Sequence, residues 1–317
     1  MSDVDTRLGK TEVRLPPVGT GAWSWGDRLV WGFGQDYDAS AVRGAFEASM
    51  QSGIDFFDTA EAYGRGKSER LLGQFIHSQE QRVLVATKLT PFPWRLWNGN
   101  VRKALETSLE RLDLPQVDLY QVHWPLPLIP VERWADGLAE AAKAGLTRAI
   151  GVSNFNENQM RRMHQALQAR GVPLASNQME YSLYNRKVER NGVLEACREL
   201  GVTLIAYSPL GQGILTGKYT PENRPSGIRG WRYNRTTLEK IQPLLREMQQ
   251  IGQRHGEKTP AQVAINWLIC KGTLPIPGAK NAQQARENAG ASGWRMSDEE
   301  VHRLDEISPG IPKVIEG

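Results

Sequence analysis

Short apolar runs alternate along the chain with segments whose apolar residues recur every three or four positions. The runs fall at 18–21, 55–59, 83–88, 117–123, 148–153, 175–180, 202–208 and 273–277. Several, such as VLVATKL and VTLIAYS, lack polar alternation, as parallel strands covered on both faces do. Between them, Val101, Leu105, Leu109 and Leu112 trace one helix face, and Trp134, Leu138, Ala141 and Ala142 trace another. Val263, Ala264, Trp267 and Leu268 follow Thr259-Pro260, an N-cap and first-turn proline. Ser297 and Glu300 open a last helix as a capping box.

Strand starts at 55, 83, 117, 148, 175 and 202 are separated by 28, 34, 31, 27 and 27 residues. That is the length of one repeated strand–helix unit, and eight such units close a (β/α)8 TIM barrel; a doubly wound open sheet is the alternative. No composition break marks a linker, so residues 1–317 are expected to form a single barrel domain. The interval before 273 is 71 residues, which places an insertion and a long loop after strand seven. Its segment 211–235 is rich in Gly, Pro and Arg, and long loops in compact domains are usually functional. The stretch EVRLPPVG is expected to contribute a short N-terminal hairpin before the barrel.

Composition narrows the function classes. With 40% hydrophobic and 23% charged residues the chain has the content of a globular protein. No apolar run approaches the ~20 residues of a membrane span. A net charge of +4 is too mild and too dispersed to demand nucleic acid. The opening MSDVDTRLGK lacks the apolar core of a signal peptide, and a cytoplasmic location is expected. Two cysteines, Cys197 and Cys270, argue against a disulfide framework and sit at apolar helical positions. Neither H-E-x-x-H nor C-x-x-C occurs, so no metal site is expected. Ten tryptophans are the one departure from an ordinary composition.

In a barrel of this kind, chemistry gathers at the C-terminal ends of the strands. Asp58 and Tyr63 follow strand two, Lys88 ends strand three and His123 ends strand four. Each alone has an ordinary explanation: a turn cap, a packing aromatic, a surface charge. Lys88, however, ends a run too apolar to be exposed, and a buried lysine needs a partner, which Asp58 can be. A phenol with a pKa of ~10 donates protons sluggishly at neutral pH. An adjacent ammonium is expected to pull that pKa toward the working range, with the aspartate holding the lysine and the histidine aligning a carbonyl. Such a group protonates an oxyanion as a carbonyl is reduced.

The stretches GIDFFDTAEAYGRGKSERLLG, VLVATKL, VDLYQVHW, IGVSNF, SNQMEYSLYNR, AYSPLGQGILTGKY and IPGAKNAQQARENAGA stand in an order that resembles the aldo-keto reductases over nearly the whole chain. The resemblance implies that Asp58, Tyr63, Lys88 and His123 are the catalytic tetrad, with Tyr63 the general acid in reduction. It also implies a nicotinamide cofactor held without a Rossmann domain. The glycines of Gly211-Gln-Gly213-Ile-Leu-Thr-Gly217 lack the Rossmann spacing, and Gly151-Val-Ser153-Asn-Phe155 is not a hydrolase elbow. By resemblance, Ser153, Asn154 and Gln178 hold the nicotinamide carboxamide and Tyr207 stacks beneath the ring. Backbone N–H groups of the stretch from Ser208 through Leu210 and Gly211 to Gly213 would cradle the pyrophosphate. Ser153 and Asn154 have an alternative as helix caps. Gly278, Lys280, Gln284 and Asn288 are assigned to the adenosine end. Lys280 stands where many relatives carry arginine, a point charge in place of a fork, so NADPH (NADP+) is expected over NADH by a reduced margin. Lys218, Arg224, Arg229, Arg232 and Arg235 could fold over the pyrophosphate or form a solvated basic loop.

The expected partner is a small carbonyl substrate, with no nucleic acid and no membrane, and oligomeric state is not legible. Some relatives, such as potassium-channel β-subunits, keep the tetrad yet serve chiefly as slow NADPH-binding auxiliaries, a second reading that ranks lower. The WSWGD…WGFG block resembles a subgroup that includes pyridoxal reductases, whose substrate would want Arg28, Arg95 or Arg232 beside the aromatics. Trp134, Trp267 and Trp294 fall on or beside helices as packing residues. Trp23, Trp25, Trp31, Trp94, Trp97, Trp124 and Trp231 lie in loops at the strand ends. Of these, Trp23, Trp25, Trp94, Trp124 and Trp231 are expected to wall the substrate pocket, while Trp31 and Trp97 brace loops.

Overall fold

The computed structural model describes residues 7–28, 30–96, 100–127, 129–225 and 233–308. Eight parallel strands stand side by side in sequence order. They are β1 (Thr20–Gly21), β2 (Phe56–Asp58), β3 (Leu84–Leu89), β4 (Leu119–Val122), β5 (Ile150–Ser153), β6 (Leu174–Glu180), β7 (Thr203–Tyr207) and β8 (Leu274–Ile276). Gly21 bridges to Gly278 in parallel, and the Gly19 and Gly21 N–H groups donate to Pro275 and Pro277 carbonyls at 3.0 Å, so the sheet closes on itself. The expected (β/α)8 barrel is the fold.

Helices form the outer ring: α1 (Ala39–Gln51), α2 (Lys67–Ile76), α3 (Asn100–Leu112), α4 (Ala135–Lys143), α5 (Glu157–Gln168), α6 (Lys187–Arg190) and α7 (Val193–Leu200). They continue as α8 (Arg235–Arg254), α9 (Pro260–Cys270), α10 (Ala282–Ala289) and α11 (Asp298–Ile307). The caps are the expected ones, since Thr259 and Gln262 form a capping box on α9 and Ser297 and Glu300 form one on α11. The insertion after β7 is more than loop. It contains the 3-10 turn Gly211–Thr216 and the 20-residue helix α8, whose Leu238, Ile241, Leu244, Leu245 and Met248 are buried. None of the helices among the described residues is long and apolar enough to cross a membrane.

The bottom of the barrel is sealed by the expected N-terminal hairpin. Arg7 and Arg14 form an antiparallel bridge, and the Leu8 N–H donates to the Val13 carbonyl at 2.8 Å. Leu8, Val13 and Leu15 are buried against Phe56, Ala175, Ile205 and other inward residues of the strands. Gly9 makes the turn with φ +56°, and a Cβ there would lie 2.6 Å from the Ala175 carbonyl oxygen. Plugging one end leaves the opposite end as the open one.

Candidate active site

Asp58 is the last residue of β2, and the chain then turns through the 3-10 segment Tyr63–Gly66. Arg65 and the two glycines around it adopt positive φ, which turns the chain sharply just after Tyr63. Lys88, one residue from the end of β3, is fully buried. Its ammonium donates to the Asp58 carboxylate, to the Thr59 carbonyl at 2.8 Å and to the Tyr63 hydroxyl at 3.3 Å. Three donors meet three acceptors, which is how a lysine is tolerated in an interior. Burial pulls the Lys88 pKa down, and the charge of Asp58 and contact with Tyr63 more than offset it, so the ammonium is held charged.

The Tyr63 phenol behaves differently from expectation. Burial raises its pKa, Lys88 lowers it and Asp58 raises it again, and the net direction is up. Desolvation of a would-be phenolate outweighs one nearby cation, so the hydroxyl stays protonated at neutral pH. His123 follows β4, its ring centroid 5.6 Å from that of Tyr63 and 4.5 Å from that of Trp124. Burial, followed by repulsion from Lys88, lowers its pKa to about 3. The imidazole is therefore neutral, and its buried Nδ1 has no hydrogen-bond partner among the described residues. A proton on Nε2 leaves only a lone pair orphaned, which is the cheaper tautomer and makes the other ring edge a donor.

A cleft of about 800 Å³ runs from this group along the strand ends. Asp58, Tyr63 and His123 line it, as do Gly278, Lys280, Gln284 and Asn288. Ser153, Asn154, Gln178, Tyr207, Ser208 and Leu210 line it too. Asn154 adopts φ +61° and is gripped at both ends of its amide. Its Nδ2 donates to the His123 carbonyl and Ser153 Oγ, each at 3.1 Å, and its Oδ1 accepts from the Tyr207 hydroxyl at 3.0 Å. The cap of α5 is Asn156, so neither Ser153 nor Asn154 serves as the helix cap that was their alternative. Gln178 donates from Nε2 to Asp58 Oδ2 at 2.8 Å, tying the cleft wall to the buried ion pair.

Several expected residues lie elsewhere. Gly211 is buried off the cleft wall, and its N–H donates to the Ser208 carbonyl at 2.9 Å. The Gly213 N–H likewise closes on Leu210, so these two donors are spent on the turn itself. Gly211 serves the loop through its φ of +54°. Trp25 is not a pocket residue. A turn closed by its N–H on the Ala22 carbonyl breaks the strand alternation, and the ring is buried against Phe57 and Phe75 with Nε1 donating to the Ala279 carbonyl at 2.8 Å. Trp94 is 60% exposed, stacked on Phe92 at 4.5 Å on the 3-10 turn Pro93–Leu96 and away from the cleft. Arg28 is exposed off the cleft, and Arg95 is bound to Glu61 and the Thr90 carbonyl. Trp97, Trp231, Arg229 and Arg232 lie outside the described residues.

Trp23 and Trp124 do line the cleft, and so does Trp31. Trp31 meets Trp23 edge-on at 5.4 Å, and Trp23 in turn lies 6.2 Å from the Tyr63 ring. Lys280 donates to the Trp31 carbonyl at 3.0 Å with its ammonium over the Trp31 and Tyr37 rings. Lys280 thus also pins the β1–α1 loop. Lys218 lines the cleft, whereas Arg235 pairs with Glu239. Ser24 and Glu287 are wall residues that sequence reasoning missed. Glu287 was discoverable, because 284, 287 and 288 share one face of a helix. Ser24 Oγ is buried with no partner among the described residues.

A model of the aldo/keto reductase family matches residues 17–309. The pyridoxal reductase of Arabidopsis thaliana chloroplasts is 42% identical over 94% of this chain and 85% of its own. The glycerol dehydrogenase of Gluconobacter oxydans superposes with a TM-score of 0.86 at 26% identity, covering 100% of this chain and 98% of that one. An aldo/keto reductase from Klebsiella pneumoniae, in a crystal with NADP and acetate, superposes with a TM-score of 0.74 at 26% identity over 96% and 95% of the two chains.

Proposed function

The chain belongs to the aldo/keto reductase family, and from that premise we propose that it reduces an aldehyde or ketone to an alcohol with NADPH, Tyr63 delivering the proton. The observation that carries this reading is a protonated phenol at the mouth of a cleft, hydrogen-bonded to a fully buried lysine–aspartate pair. The cleft suits a dinucleotide. It offers amides, a flat phenol face at Tyr207, a buried hydroxyl at Ser24 with no partner among the described residues, and a cation at Lys280. Ser153, Asn154, Gln178 and Tyr207 would hold the nicotinamide end, Ser208 and Leu210 the middle, and Gly278, Lys280, Gln284 and Asn288 the adenosine. NADPH, once bound, supplies two electrons to the carbonyl carbon as hydride.

The residues of the chain handle the oxygen. Neutral His123 donates a hydrogen bond to the carbonyl oxygen and orients it toward Tyr63. As negative charge develops there, the Tyr63 hydroxyl releases its proton to the oxygen, and Lys88 stabilises the phenolate left behind. Asp58 keeps Lys88 charged and in place through that step. Trp23, Trp31 and Trp124 exclude water from the reacting end.

Pyridoxal is the first carbonyl to test, given the name of the Arabidopsis relative. The experiment is a panel of aldehydes and ketones, pyridoxal included, assayed with NADPH and with NADH. Turnover of a carbonyl with NADPH favoured is expected, with Tyr63→Phe losing about 10²–10⁴-fold in kcat while still binding NADPH. Full activity in Tyr63→Phe would overturn the assignment, and equal use of NADH would overturn the choice of cofactor.

A further inference from the structure

The barrel interior carries a polar side chain that the proposed mechanism does not use. Gln121, on β4, is fully buried below the cleft. Strand register aligns it with Lys88 on β3 and Gly151 on β5, and Gly151 in turn with Ser176 on β6. Gly151 gives Gln121 its room. A Cβ at 151 would stand 3.0 Å from Gln121 Cγ and would collide with Ser176 Oγ. Gln121 Nε2 reaches Asp58 Oδ2 at 3.2 Å. Gln178 Nε2 donates to the same oxygen at 2.8 Å and to Gln121 Oε1 at 3.4 Å. Lys88 occupies the other oxygen, Oδ1.

We infer that Gln121, in the space left by Gly151, is a positioning residue that orients Asp58 and tunes the proton-donating strength of Tyr63. The inference rests on Tyr63 being the acid. Asp58 has two jobs that conflict, because it must hold Lys88, yet its own charge disfavours the Tyr63 phenolate. Two amide N–H dipoles with their positive ends on Oδ2 offset part of that charge on the side away from Lys88. They also fix the carboxylate so that Oδ1 faces Lys88. The charged and titratable groups facing Tyr63 are Lys88 from β3, Asp58 from β2 and His123 after β4, and Gln121 acts on them through Asp58. A second consequence concerns Gln178. With Nε2 committed to Asp58, its Oε1 is what remains to accept from a ligand amide.

The test uses Gln121→Met, which keeps the volume and removes the donor, and Gly151→Ala, which crowds Gln121 from the neighbouring strand. Two quantities are read: the alkaline limb of the pH profile for carbonyl reduction, and tyrosinate absorbance of the ligand-free protein, each variant against its own Tyr63→Phe derivative. Removing positive potential from Asp58 weakens the acid. Tyr63 is expected to titrate about half a pH unit or more higher in both variants, with kcat at neutral pH lowered several-fold. The double variant should shift no further than the larger single one, since both act through one hydrogen bond. Tyr63 titrating as in wild type in Gln121→Met would overturn the inference; should that variant not fold, the same result in Gly151→Ala would do so. If no carbonyl is turned over, the proposed function falls, while the absorbance titration still decides the role of Gln121.

Discussion

Tyr63 is pushed in opposite directions by its surroundings, with burial raising its pKa, Lys88 lowering it and Asp58 raising it. Because the net direction is upward, reduction should hold steady through neutral pH and fall only on the alkaline side, as the phenol loses its proton. A pH profile with a loss centred below 8 would contradict this. His123 gives a complementary prediction for stability. Its folded pKa, about 3, is below the ordinary 6.5, so between those values the unfolded chain takes up a proton that the folded chain refuses. The buried imidazole is thus best tolerated above 6.5 and costs stability on the order of 1 kcal/mol per unit as pH falls toward 3. Urea unfolding of His123→Gln from pH 7 to 4 should show a shallower loss than wild type. Lys88→Met leaves Asp58 buried without its cation and should cost about 3–5 kcal/mol, with Asp58→Asn added in the same chain recovering part of it.

At the scale of elements, the loop between β1 and α1 is the clearest case of one segment tied to two groups of cleft residues. Trp31 packs on Trp23 beside Tyr63, and its carbonyl is held by Lys280, which precedes α10. Lys280→Met should therefore do more than reduce the preference for NADPH. It should speed hydrogen exchange across residues 23–37 in the ligand-free protein, and unchanged exchange there would show that the lysine serves the cofactor alone. Helix boundaries were legible because Thr259, Ser297 and their partners three residues on are local signals. Trp25 and Trp94 were misread for the opposite reason. A turn closed by one backbone hydrogen bond decides which way each ring faces, and composition carries no trace of it.

Across the whole molecule, the two ends of the barrel are chemically separate. The hairpin bearing Leu8, Val13 and Leu15 closes one end, while the cleft opens at the other. Leu8→Ala should cost about 2–5 kcal/mol in thermal or denaturant unfolding yet leave carbonyl KM within about two-fold of wild type, since stability resides at the end away from the chemistry. A large KM change would mean that the plug and the site communicate.

The eight strands, their order and the (β/α)8 class were readable because apolar runs at near-constant spacing are a property of the chain itself. The same holds for Asp58, Tyr63, Lys88 and His123, which lie at or just past the strand ends wherever the barrel puts them. What the linear sequence does not carry is desolvation and direction. Only the folded barrel makes burial outweigh Lys88 at Tyr63, turns Trp25 inward and Trp94 outward, and spends the Gly211 N–H on its own loop. Only there does the missing side chain of Gly151 become room for Gln121 to reach Asp58, because both depend on distances between strands that are far apart in sequence.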